Sequence, residues 1–409
     1  MTPHHAELRR RRPVLLLVVV VLALAGCSAD TGRRIEQGAA EVRTDQAFYT
    51  LPDPVPAGPP GSIVRTEPLP STMEGSVAWR VLYHTTDQQG TDRVASAVVV
   101  APAGPAPAGG RSVIGWGHPT TGAVARCAPS NGLDPFDLIE GLSQLLHAGY
   151  AVAAADYPGL GVEGQSSYLI GVTEAHSVID AVRAARNLPD AGAGAEVLLW
   201  GHSQGGHAAL FAGQEVSRYA PELSLRGVAV AAPATELATL LDDHIADASG
   251  VTIGSYSYAA YQAVYADQHP GMSLESILTP AGVAATPAMA QLCLFGQYLS
   301  LRKIADPLIG KYVAHDPATT EPWATLLRQN TPGAERIGVP VFVAQGESDA
   351  LVKPAATTQY VSRVCTAGEH VTYKQYPGAN HGSIARAAMD DVLPFLAGAL
   401  QGTPPGSTC

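Results

Sequence analysis

Six short apolar runs, separated by amphipathic segments, constrain this chain more than any other feature of its sequence. They are Ser112–Gly117, Ala151–Asp156, Glu196–Trp200, Gly227–Ala231, Val339–Gln345 and Val371–Tyr376. Near-continuous hydrophobicity over so short a length suits strands covered on both faces, as in a parallel sheet. Phe136–Leu146, Thr173–Leu188, His207–Tyr219, Ala355–Val364 and Ile384–Leu400 have the spacing of helices with one apolar face. Upstream, Val77–Thr85 and Val94–Val100 bracket a Gln88-Gln89-Gly90 turn and predict an antiparallel hairpin. A hairpin followed by repeated β-α units predicts an α/β fold, a mostly parallel, twisted sheet with helices on both faces.

The rhythm stops between about Thr235 and Gly338, where helical stretches and breakers contain no clear buried strand. Roughly a hundred residues are too many for a loop in a compact domain. The interval therefore predicts an inserted helical cap over 235–338, with 61–234 and 339–409 forming the core. Its Tyr256, Tyr258, Tyr261 and Tyr265, with Leu240, Leu241, Phe295 and Leu299, either line an acyl pocket or form the cap's own core.

The first 26 residues read as an export signal. Arg9–Arg12 give a positive start and Val14–Ala25 an apolar run too short for the roughly 20 residues that span a membrane. The run ends in Leu24-Ala25-Gly26-Cys27, the pattern of a bacterial lipobox, in which Cys27 takes a lipid anchor; plain secretion is the alternative. Residues 27–60 are polar, then rich in Pro and Gly, and predict a tether with an irregular lead-in. The formal charge of −11 becomes −14 once four arginines and one glutamate leave with residues 1–26. An acidic chain without a basic patch is a poor partner for nucleic acid and is weakly drawn to anionic headgroups, so a lipid anchor would do the holding. Beyond Cys27 the cysteines are Cys127, Cys293, Cys365 and Cys409, an even number that predicts two disulfides among three possible pairings. No ligand spacing points to a metal.

Gly201-His202-Ser203-Gln204-Gly205 sits between a buried strand and an amphipathic helix. There a sharp strand-to-helix turn exposes a serine nucleophile, and the glycines two residues away remove side chains that would collide. A serine hydroxyl needs a base, and the chain order for this arrangement is serine, acid, histidine. His381, in the loop after strand Val371–Tyr376, is the base; Asp349, after Val339–Gln345, is the acid that orients it, with Glu347 as rival. All three fall just past strand ends, where open α/β sheets place their sites. The oxyanion donors are the N–H of Gln204 and one from His118-Pro119-Thr120-Thr121-Gly122. Pro119 has none to give, so the second donor is Thr121, with Thr120 as alternate. Asp156 reads as structural, His118 as orienting the oxyanion loop, and His202 and His207 as pointing elsewhere. These residues predict the α/β-hydrolase fold.

Taken in order, Gly117-His118-Pro119-Thr120-Thr121-Gly122, Cys127-Ala128-Pro129-Ser130, Asp156-Tyr157-Pro158-Gly159-Leu160-Gly161, Gly201 to Gly206, Gly346 to Asp349 and Asn380-His381-Gly382 resemble the secretory lipase family. The resemblance runs from about Phe48 onward and implies a helical cap over the site and action on triacylglycerols or simpler esters. It also implies Ser203, Asp349 and His381 as the triad and the pairings Cys127–Cys293 and Cys365–Cys409. The expected reaction is acyl transfer to water without a cofactor. A peptidase or amidase, an acyltransferase, and a non-catalytic surface lipoprotein are the other readings, and the sequence leaves the oligomeric state open.

Overall fold

The computed structural model describes residues 46–71, 73–244 and 247–409. The export signal, Cys27 and the lead-in as far as residue 45 lie outside them.

Nine strands form one sheet in the order β1-β2-β3-β5-β4-β6-β7-β8-β9. They are β1 (Ile63–Leu69), β2 (Ser76–Thr86), β3 (Asp92–Pro102), β4 (Arg111–Gly117), β5 (Ala151–Ala155), β6 (Ala193–His202), β7 (Ser224–Ala231), β8 (Val341–Gly346) and β9 (Val371–Tyr376). The β1–β2, β2–β3 and β3–β5 pairs are antiparallel, and every pair from β5 to β9 is parallel. All six apolar runs and both arms of the hairpin are strands. β1 is the addition. Its Ile-Val-Arg-Thr-Glu-Pro-Leu sequence shows no apolar run, because a half-exposed edge strand needs none.

Side chains alternate between two cores, as a two-residue period requires. Ile114, Trp116, Val152, Leu198 and Trp200 share a core with helical residues of the 235–338 interval and with the C-terminal helix α7 (Met389–Gln401). Val113, Ala151, Ala153, Val197 and Leu199 face α2 (Gly171–Arg186), α3 (Gln204–Tyr219) and α6 (Pro354–Thr366). The helix expected over Phe136–Leu146 is shorter, α1 at Leu142–His147. Gly141 precedes it at φ 84°, a left-handed turn that no continuous helix passes. Between residues 235 and 338 the described residues hold helices and no named strand, among them α4 (Ala248–Tyr265) and α5 (Trp323–Gln329). The end of the lead-in is docked: Phe48 and Tyr49 are buried, and Arg65 donates to the carbonyls of Ala47, Phe48 and Thr50.

Asp156, just past β5, anchors a buried polar knot. Its Oδ2 accepts from Ser96 Oγ at 2.5 Å and from Ser130 Oγ, and Tyr49 Oη lies 2.7 Å from Ser130 Oγ. Burial raises its carboxyl to about 6, against the pull of those serines. The folded value stands above the unfolded one, so its contribution to stability is full below about pH 4 and is lost as pH rises through about 6. Asp156→Asn is therefore expected to flatten the fall of the melting temperature between pH 4 and 7, by up to about 3 kcal/mol of stability change. Calorimetry of both proteins across that range checks it; equal slopes would refute it.

Candidate active site

Ser203 occupies the turn between β6 and α3 with φ 58° and ψ −117°, a backbone region that side chains other than hydrogen pay to enter. The neighbouring glycines make that turn possible. A Cβ at Gly201 would overlap the Gly205 carbonyl, and one at Gly205 would overlap the carbonyl of Gly117 on β4. β6, the start of α3 and β4 thus meet backbone to backbone. Three main-chain bonds hold the corner: Ser203 N–H donates to Ala231 O (2.9 Å), while Ser203 O accepts from Ala234 (3.0 Å) and His207 (3.1 Å).

Sheet register brings the remaining pieces to the same edge. Gly117 pairs with Gly201, so the loop after β4 begins beside the elbow. Gly346 pairs with Tyr376, so the loops after β8 and β9 leave side by side, linked by Ser348 N–H to Ala379 O at 2.9 Å. From them His381 Nε2 comes 2.9 Å from Ser203 Oγ, and His381 Nδ1 lies 2.8 Å from Asp349 Oδ2. Asp349 is buried and its other oxygen accepts the N–H groups of Leu351 and Val352 at 2.8 and 2.9 Å, which fixes the carboxylate. A carboxylate on Nδ1 keeps the proton there and leaves the Nε2 lone pair facing the serine. Burial sets the His381 pKa below the ordinary histidine value, with Asp349 opposing. Glu347, the rival acid, points to solvent.

Gln204 opens α3, in the first turn, where main-chain N–H groups lack helical partners. Across from it the loop of Thr120 and Thr121 is tied to residues 292–294. Thr121 O accepts from Leu294 N–H (2.7 Å), and the disulfide Cys127–Cys293 lies directly behind Gly122. Thr120 Oγ1 meets Tyr168 Oη at 2.8 Å, and Tyr168 packs on Tyr256, whose hydroxyl donates to Leu292 O. The second disulfide joins Cys365 to Cys409. His118 is held by the Pro119 carbonyl and stacks on Tyr157; burial lowers its pKa to about 4, so it is neutral.

Several contributors carry no sequence signal. Glu174 on α2 is fully buried and accepts from the Gln204 amide (2.6 Å) and Leu169 N–H (2.9 Å), with His207 Nδ1 3.1 Å away. His207 Nε2 meets Asn330 O at 2.8 Å. His207 thus points elsewhere, as expected. His202 does not: its ring centroid lies 4.9 Å from that of His381, and its Nδ1 is 2.8 Å from Glu140 Oε2. Alternation along β6 puts it on the opposite face from Gly201, which is the face that the β9 loop covers. Between residues 235 and 338, Tyr256, Tyr258, Tyr261, Tyr265, Leu240 and Leu241 belong to a continuous buried core, whereas Leu299 is 70% exposed and lines nothing. Among the described residues no group of three His, Cys, Asp or Glu is placed to hold a metal.

A nine-stranded, mostly parallel sheet with helices on both faces, and a strand-turn-helix serine at its carboxyl edge, is an α/β-hydrolase fold. The secretory lipase family model matches residues 137–408, and the chain belongs to that family of ester-hydrolysing enzymes. Lipase A of Moesziomyces aphidis is 24% identical over 89% of this chain and 82% of its own. The secreted triacylglycerol lipase LIP7 of Malassezia globosa is 26% identical over 94% and 85%. Among solved structures, Candida antarctica lipase A in its closed state superposes with a TM-score of 0.73 at 21% identity, over 91% of this chain and 89% of that one.

The elbow makes a steric prediction. Gly205→Ala drives a methyl into the Gly117 main chain, which no rotamer change relieves. The variant is expected to lose more than about 3 kcal/mol of stability or to fail to fold. Chemical denaturation beside the wild type checks this; an unchanged midpoint would contradict the close backbone approach.

Proposed function

We propose that this chain is an exported enzyme that cleaves carboxylic esters, triacylglycerols among them, through an acyl-enzyme on Ser203. The observation that carries the reading is the continuous Ser203–His381–Asp349 hydrogen-bonded line, 2.9 and 2.8 Å in its two steps. His381 Nε2 takes the hydroxyl proton as Ser203 Oγ bonds to the ester carbonyl carbon. The developing oxyanion is held by the N–H groups of Gln204 and Thr121, with Thr120 as alternate donor. The carbon–oxygen bond to the alcohol breaks, and the alcohol leaves with the proton from His381. A water deprotonated by the same nitrogen then attacks the acyl carbon, the acid departs, and Ser203 recovers its proton. Asp349 holds the Nδ1 proton and steadies the imidazolium.

Residues 235–338 act as the cap over this site; Ser203 is only 7% exposed, so substrate enters when cap and core separate. Export rests on the apolar run Val14–Ala25 and on the secreted relatives, and Cys27 carries a lipid anchor that holds the enzyme at a membrane surface.

Hydrolysis of p-nitrophenyl esters of short to long acyl chains by the mature protein and by Ser203→Ala tests the reading. The variant is expected to lose about four orders of magnitude or more in kcat. The base must be neutral to act, and its pKa lies below the ordinary 6.5, so kcat/KM is expected to hold through pH 6.5 and fall only below it. A folded wild type inactive on every ester, or a Ser203→Ala variant that keeps its rate, would overturn the proposal.

A further inference from the structure

His381 has a second buried titratable neighbour besides Asp349. His202 is 97% buried in the position before the nucleophile, and its ring meets that of His381 at a 41° tilt. Behind it stands Glu140, also buried, whose main-chain carbonyl accepts the Trp200 indole N–H at 3.0 Å. Trp200 is itself fully enclosed, so Glu140 is fixed by the sheet core rather than by a mobile loop. The 2.8 Å approach of Glu140 Oε2 to His202 Nδ1 is bent away from a linear hydrogen bond and acts as a charge pair. No other ion pair to Glu140 is present among the described residues, and a buried carboxylate left without a counter-charge would be costly.

We propose that His202, charged against Glu140, is a positioning residue that sets how readily His381 accepts a proton during ester cleavage. The inference rests on the catalytic reading of Ser203 and His381 given above. The titratable groups facing His381 are Asp349, His202 and Glu140; those facing His202 are Glu140, Asp349 and His381. Burial favours a neutral His202, but Glu140 outweighs it and holds the ring above the ordinary histidine range. A cation at ring-to-ring distance then opposes a second one on His381, while Asp349 favours it. Burial does most to lower the His381 pKa, and His202 adds to it against the pull of Asp349, so without His202 the base would take up its proton at a higher pH. Glu140 keeps the counter-cation in place without itself touching the base, and being farther from His381 it cancels only part of that repulsion.

Histidine-15N NMR titration of the wild-type chain, paired with pH profiles of His202→Asn and Glu140→Gln, tests this. His202 is expected to show both ring nitrogens protonated at pH 7 while His381 titrates below it. In His202→Asn the acid limb of kcat/KM should move up by about one pH unit, the size of a partly offset unit charge at this distance. In Glu140→Gln, where His202 loses its charge, the limb should rise by less. A neutral His202 in the wild type, or an acid limb that stays put in a folded variant, overturns the proposal. If His202→Asn does not fold, the wild-type titration and Glu140→Gln decide. The NMR reports the charge of His202 even if no ester is cleaved, so its failure is distinct from failure of the catalytic reading.

Discussion

Everything at this site depends on three backbones that touch. Gly117 at the end of β4, Gly201 at the end of β6 and Gly205 in the first turn of the following helix lie so close that none tolerates a Cβ. That contact puts Ser203 in a left-handed backbone conformation with its hydroxyl off the sheet edge. It also seats the start of the helix against the end of β4, where the proposed oxyanion donors lie. Strain at a single residue persists only where its surroundings over-determine it. Here they do, through the sheet register and three hydrogen bonds to the Ser203 main chain.

The second level of organisation ties residues from the 235–338 interval to that corner. The segment 292–294 is bound to the β4 loop by a disulfide and a main-chain hydrogen bond, with the Tyr168–Tyr256 contact alongside. On the other side, Asn330 near the cap's end meets His207, which faces the Glu174 carboxylate that also holds the Gln204 side chain. The β4 loop and the start of α3 therefore both lean on residues between 235 and 338.

The parts readable in the sequence are those with local signatures. Buried parallel strands are short apolar runs, and the elbow is a spaced glycine motif after one of them. Asp349 and His381 could be named because chain order and strand ends narrow the choice to one loop each. β1 escaped because an edge strand buries one face only and breaks its alternation with Arg65 and Glu67. Glu140, Glu174 and Asn330 escaped for another reason. Each acts on a residue dozens to more than a hundred positions away, and an isolated acid or amide in a helix or loop looks like a solvated one. His202 stands on the face of β6 opposite Gly201, but that the loop carrying His381 folds over this face depends on β9, far along the chain.

The central claim is that Ser203 is a nucleophile made reactive by His381 and Asp349. Treating the folded protein with an alkyl fluorophosphonate and mapping the adduct by mass spectrometry tests it most directly. The account predicts one adduct, on the peptide carrying Ser203, and little or none in His381→Ala at neutral pH. An unlabelled Ser203 in folded wild-type protein, or labelling undiminished without His381, would contradict it.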